Sequence, residues 1–121
     1  MNAKHEFLDY LEDILDAIEK IESFTTGMTY HQFSKDDKTM YAVIRAFEII
    51  GEATKNIPAR LRRKHEGIPW KEMAGMRDKM IHEYFGVDLK VVWETVQKDI
   101  PSLKPLMVQV IEQESKEESD K

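Results

Sequence analysis

The sequence predicts an all-α fold, an up-and-down bundle of four long helices plus a short one, and three observations predict it. Apolar residues recur at steps of three and four along most of the chain, with acids and bases filling the gaps. No segment shows the period-two alternation of a half-buried strand. Charged residues make up 34 % of the 121 residues against 41 % hydrophobic, as in helical proteins with charged outer faces. A chain of this length holds one core, so a single domain over residues 1–115 is expected, followed by a charged flexible tail over 116–121.

The first helix is expected over about residues 4 to 24, where Phe7, Leu8, Leu11, Ile14, Leu15, Ile18 and Ile21 form one apolar face. The stretch TTGMTYHQFSKDD breaks the pattern. Ser34, with Asp37 three residues later, resembles an N-cap with an acidic first turn, opening a second helix that runs to about Asn56. Gly51 inside that helix costs roughly 1 kcal/mol against Ala, which a close helix approach would explain. Pro58 suits the first turn of a short basic helix, and Gly67 and Pro69 stop it and start the next. Trp70, Met73, Ala74, Met80, Ile81 and Tyr84 then predict a helix ending near Gly86. Asp88 can cap a helix carrying Leu89, Val92, Trp93, Val96 and Ile100, with Pro101 as its stop. A last helix is expected from about Ser102 to Glu114, with SKEESDK frayed.

Composition removes several classes of function. Without cysteine there is no disulfide, thiolate nucleophile or cysteine-based metal site. Glu6, Asp9, Glu12, Asp13 and Asp16 interrupt the first twenty residues as no signal-peptide apolar segment does, and no later run reaches membrane-span length, so a cytoplasmic location is expected. A net charge of −5 argues against coating nucleic acid through a general basic field, but it leaves room for a local basic cleft. Arg60, Arg62, Arg63, Lys64 and His65 gather in PARLRRKH. Such a run suits a solvated helix face, and equally a guide for an RNA backbone.

AGMRDKMIHEYFGVD, residues 74 to 88, places Arg77, His82 and Tyr84 within eight residues of an apolar pattern. On a continuous helix Arg77 and Tyr84, seven apart, share one line with Trp70 and Met73. His82 would stand about 140° round from Arg77 and about 7.5 Å along the axis. It would lie over Asp78 and beside Lys79, where a carboxylate could orient its ring. Polar trim on a packed helix would account for the same three residues.

The phrase Arg77-Asp-Lys-Met-Ile-His82-Glu-Tyr84, after WKEMAGM and before FGVDLKVVWETVQKDIPSLKP, resembles the signature Arg-x-x-x-x-His-x-Tyr of the HepT-like branch of the HEPN (higher eukaryotes and prokaryotes nucleotide-binding) superfamily. FEIIGEATKNIP is similar to a second stretch of that family, and the resemblance covers most of the chain, from about Phe7 to Pro105. The resemblance implies an all-α homodimer that acts as the RNase toxin of a two-gene toxin–antitoxin pair. It implies Arg77 and His82 as the catalytic pair and Tyr84 as the hydroxyl to which an MntA-like nucleotidyltransferase antitoxin transfers AMP. No cofactor is implied for this chain, since ATP and Mg²⁺ belong to the antitoxin. Related motifs often have Asn where Asp78 stands.

These residue types suit metal-independent RNA cleavage. Such a reaction takes a proton from the 2′-hydroxyl, returns one to the leaving 5′-oxygen and stabilises charge on the phosphate between. Imidazole, with a pKa of about 6.5, can do either transfer near neutrality, and a guanidinium can hold two phosphate oxygens. One histidine per chain falls short of an acid and a base, and a two-fold interface would supply two of each residue. Glu52 and Asn56 could hydrogen-bond toward the motif helix or form only a surface pair. Asp78 and His82 lack a third ligand in sequence reach for a metal. A non-catalytic helical module that pairs with a nucleotidyltransferase, or binds nucleotide, is the reading from a different class.

Overall fold

A computed structural model describes residues 3–82 and 86–119, and within these the chain is mostly helical. Helix α1 spans Ala3–Thr25, and its buried residues Phe7, Leu11, Ile14, Ile18 and Ile21 follow the three-four spacing of the sequence. The Thr25 hydroxyl, also buried, donates to the Ile21 carbonyl at 2.8 Å, closing the last turn. Gly27 follows with φ +76°, a left-handed conformation that reverses the chain at no steric cost to glycine.

The next segment differs from the expectation. Thr29, not Ser34, begins a helix: it caps the short α2 (Tyr30–Ser34) in a reciprocal box with Gln32. The Ser34 hydroxyl instead donates to the His31 carbonyl. Helix α3 (Asp37–Lys55) is capped by Asp36, whose carboxylate accepts from both the backbone N–H and the hydroxyl of Thr39. Phe33 of α2 is buried, and its ring lies 5.2 Å from that of Trp93, which pins this connection to the C-terminal half of the chain.

Helix α4 (Ala59–Lys64) starts after Pro58, and α5 (Trp70–Ala74) after Pro69. The Trp70 indole N–H donates to the His65 carbonyl across the turn. The predicted helix from Trp70 to Gly86 does not form as one piece. Gly75 ends α5, α6 covers only Met76–Met80, and the chain then becomes extended. Strand β1 (Ile81–His82) pairs antiparallel with β2 (Gly86–Val87), aligning Ile81 with Val87 and His82 with Gly86. Gly86 has φ +75°, so it serves a left-handed position in this ribbon rather than a helix end. The Met80 carbonyl, free at the end of α6, accepts from the Asp88 N–H at 2.8 Å.

Asp88 caps α7 (Leu89–Glu94) as predicted. Pro101 does not stop the chain. A π turn over Thr95–Asp99 leads straight into α8 (Ile100–Ser119), which contains both Pro101 and Pro105. A proline removes one helical N–H and crowds the carbonyl four residues back; the wider turn absorbs that strain. The Ser102 hydroxyl donates toward the Lys98 and Asp99 carbonyls left there. Val92, Val96, Ile100, Leu103, Met107 and Val110 form one buried line through the whole run. The helix also passes the expected end at Glu114 and continues through Ser119.

The architecture is thus α1 packed on α3 and on α8, with α5 and α6 laid against α3. Among the described residues there are three long helices rather than four, because the predicted motif helix is broken into α5 and α6 and α7 is a six-residue lead into α8. One buried apolar cluster runs through all of them. No helix among the described residues is long and apolar enough to cross a membrane.

Candidate functional site

Gly51 positions the motif. A Cβ built on it would sit 3.2 Å from the Ala74 carbonyl oxygen and 3.8 Å from that of Met73, so the bare glycine lets α5 touch the backbone of α3. Three residues beyond Ala74, Arg77 emerges beside Glu48, three residues before Gly51. The Arg77 Nε donates to Glu48 Oε2 at 3.1 Å. Met76 and Met80 of the same short helix are buried, which fixes α6 in rotation and leaves Arg77 half-exposed, at 52 % of its side chain. Asp78 is 77 % exposed, and its Oδ1 lies 3.8 Å from Arg77 Nη1, beyond hydrogen-bond reach. Lys79 faces the opposite way along the chain, to Asp99 of the π turn, with Nζ 3.6 Å from Oδ2.

Several expectations about this site change. Arg77 does not continue the line of Trp70 and Met73, because the break at Gly75 resets the helical phase; those two are buried while Arg77 is not. His82 cannot lie over Asp78 by helical spacing, because the backbone leaves the helix after Met80 and His82 belongs to β1. The His82 side chain is outside the described part of the structure, and Tyr84 lies outside the described residues. Among the described residues, Glu52 and Asn56 are engaged away from the motif. The Asn56 amide donates to the Glu52 carbonyl of its own helix, and both residues line a hollow shared with Tyr10 and Asp13 of α1. Glu48, which does reach Arg77, escaped the sequence reading: it is 29 positions away, and a glutamate on a helix flank carries no distinguishing pattern.

The basic run is largely occupied. Lys64 pairs with Glu117 and, at 3.0 Å, with Glu114, and these two carboxylates, Glu117 foremost, raise its pKa above the ordinary lysine value. His65 Nε2 is 2.7 Å from the same buried Glu114 carboxylate. The Arg62 Nε donates to the Ile57 carbonyl, and the Arg60 guanidinium stands over the Phe7 ring at 5.7 Å. Arg63 is exposed. Within one chain this run is also remote from the motif. Lys79 meets Asp99 and Lys64 meets Glu114, fifteen residues along a continuous helix, which is about 22 Å. Within one chain, Lys64 and Arg62 are thus structurally paired on a helix face.

Among the described residues no group of three or more His, Asp or Glu side chains is placed to hold a metal ion. The arrangement offers a different chemistry: a half-exposed guanidinium, oriented from one side by a carboxylate, at the junction of a short helix and the strand bearing His82.

Comparison with known proteins bears on what such a junction is for. The family model described as Ribonuclease HepT-like matches residues 14–110. The chain is 61 % identical over 101 residues to the "Probable ribonuclease HepT" of Thermococcus cleftensis, covering 84 % of this chain and 92 % of that protein. It is 47 % identical over 105 residues to the "Putative RNase TTE0752" of Caldanaerobacter subterraneus, covering 87 % and 94 %. It is 48 % identical over 112 residues to the "Gamma-glutamylcyclotransferase and putative RNase MJ0434" of Methanocaldococcus jannaschii, covering 93 % of this chain and 50 % of that longer protein. No solved structure matches. With the matched region running from the middle of α1 into α8 and enclosing the whole Arg77 to Tyr84 phrase, the chain belongs to the HepT-like ribonuclease family.

Proposed function

We propose that this protein is an endoribonuclease that cleaves RNA without a metal ion at a site built on Arg77 and His82, and that it is the toxin of a toxin–antitoxin pair. The observation that carries the first part is the half-exposed, carboxylate-oriented guanidinium of Arg77, in a chain whose relatives are named as ribonucleases. Cleavage needs no cofactor. One His82 imidazole accepts the 2′-hydroxyl proton, the 2′-oxygen attacks phosphorus, and the 5′-oxygen leaves with a proton from a second imidazole. The products are a 2′,3′-cyclic phosphate and a free 5′-hydroxyl. Arg77 holds two non-bridging oxygens as charge builds on them. A single chain has one His82, so two chains meeting about a two-fold axis complete the site.

Tyr84, two residues beyond His82, is the point of control. A cognate MntA-like nucleotidyltransferase, itself using ATP and Mg²⁺, would add AMP there, and the added phosphate and base would compete with RNA by charge and by volume.

Cleavage of an RNA oligonucleotide in EDTA by the wild type and by His82→Ala tests the reaction. Loss of cleavage in His82→Ala is expected; equal activity in both sinks the assignment. For the tyrosine, incubation with the nucleotidyltransferase and ATP should add whole AMP masses to the wild type and none to Tyr84→Phe.

A further inference from the structure

We propose that Glu48 is a positioning residue for Arg77: its carboxylate holds the Nε edge of the guanidinium and so turns the terminal Nη edge toward the scissile phosphate. This inference rests on the ribonuclease reading above and adds a residue on a different helix to its site.

The division of the guanidinium is the first ground. A guanidinium has five N–H groups, one on Nε and four on the two Nη atoms, and the Nη edge matches two phosphate oxygens. Glu48 takes the Nε–H through a single oxygen at 3.1 Å. Among the described residues, the other carboxylate beside the group, that of Asp78, is 3.8 Å from Nη1 and largely in solvent. Glu48 therefore orients the group without closing its phosphate-binding edge.

The second ground is the contrast between the two anchors. Arg77 is a long, flexible side chain on a five-residue helix between the break at Gly75 and strand β1. Glu48 stands in the middle of the nineteen-residue α3, between the fully buried Phe47 and Ile50, and beside the close contact at Gly51. A long, well-packed helix thus supports a group on a short one, which is how a binding group is held within a fraction of an ångström before substrate arrives. A pair this exposed adds little to folding stability, so its consequence is expected in turnover instead.

The experiment measures steady-state cleavage of a fluorogenic single-stranded RNA by full-length wild type, His82→Ala, Glu48→Ala and Glu48→Gln. Glu48→Ala should lower kcat by about tenfold while KM stays level or falls, since removing a negative charge favours RNA. Glu48→Gln, whose amide oxygen still accepts from Nε–H, should restore most of kcat. In the ¹H–¹⁵N spectrum, the Arg77 Nε–Hε signal, assigned by its loss in Arg77→Lys, should exchange faster in Glu48→Ala. An active wild type with kcat undiminished in Glu48→Ala overturns the positioning role alone, as does a Glu48→Gln no better than Glu48→Ala or an unmoved Nε–Hε signal. Equal inactivity of wild type and His82→Ala overturns the ribonuclease reading beneath it.

Discussion

Arg77 combines a charge with a planar fork, and only the fork can serve a carboxylate on one edge and a phosphate on another. Arg77→Lys keeps the charge and loses the fork, so kcat/KM should fall by roughly two to three orders of magnitude in the RNA cleavage assay. Glu114 is a buried carboxylate outside the candidate site. It accepts from His65 at 2.7 Å and Lys64 at 3.0 Å, so Glu114→Ala removes the His65 carboxylate partner and leaves Lys64 with Glu117. Urea unfolding should register a loss of about 1 to 3 kcal/mol. The role of Glu114 was not legible in the sequence. Glu114 sat in an acidic stretch that read as the end of a helix, and its partners lie 49 and 50 positions away. Arg77 was legible as a candidate because its spacing to His82 and Tyr84 is local. Glu48 was not, because its relation to Arg77 is created only by the packing of two helices.

At the level of elements, the contact between α3 and α5 sets where the motif stands. Gly51→Val would push branched methyls against the Ala74 carbonyl oxygen, already 3.2 Å from a bare Cβ. A cost of about 1 to 3 kcal/mol in stability is expected, together with a fall in cleavage as Arg77 is carried away from Glu48. Circular dichroism melting and the cleavage assay read the two effects separately. Gly51 was correctly read as a close approach, since glycine inside a long helix invites that explanation. Helices α1 and α3 were equally legible from their unbroken three-four periodicity. The motif helix was misread because Met76, Met80 and Ile81 continue helical spacing by themselves, while the pairing of Ile81 with Val87 that ends the helix is a matter of chain reversal. Pro101 was misread for the converse reason: a breaker by its local chemistry, it is accommodated by a π turn that no pattern of apolar residues announces.

For the whole molecule, the proposed reaction requires two chains. Sedimentation should find a species of twice the 14.2 kDa of one chain, and a strictly monomeric protein that still cleaves RNA would remove the need for a second His82. The charge network also predicts how stability depends on pH. The Asp36 carboxylate is held below its ordinary 3.8, first by the Thr39 backbone N–H. Its contribution is present above 3.8 and is lost as pH falls through the lower folded value. Lys64 is shifted upward from 10.5, so its contribution is complete below 10.5 and is lost as pH rises through the higher folded value. Melting temperatures should therefore show an Asp36→Ala difference that narrows in acid and a Lys64→Met difference that narrows in strong alkali.

The short helix α6 has one further consequence, best put as a matter of phase. Neighbouring positions on a helix differ by about 100°, and α6 has Met76 facing the interior and Arg77 facing Glu48. Exchanging only these two residues preserves composition, charge and helix propensity almost unchanged. It would nevertheless drive a guanidinium toward the core and leave a thioether beside a carboxylate. Where the guanidinium stands thus depends on the count from Gly75 to Arg77 as well as on the presence of an arginine before a histidine.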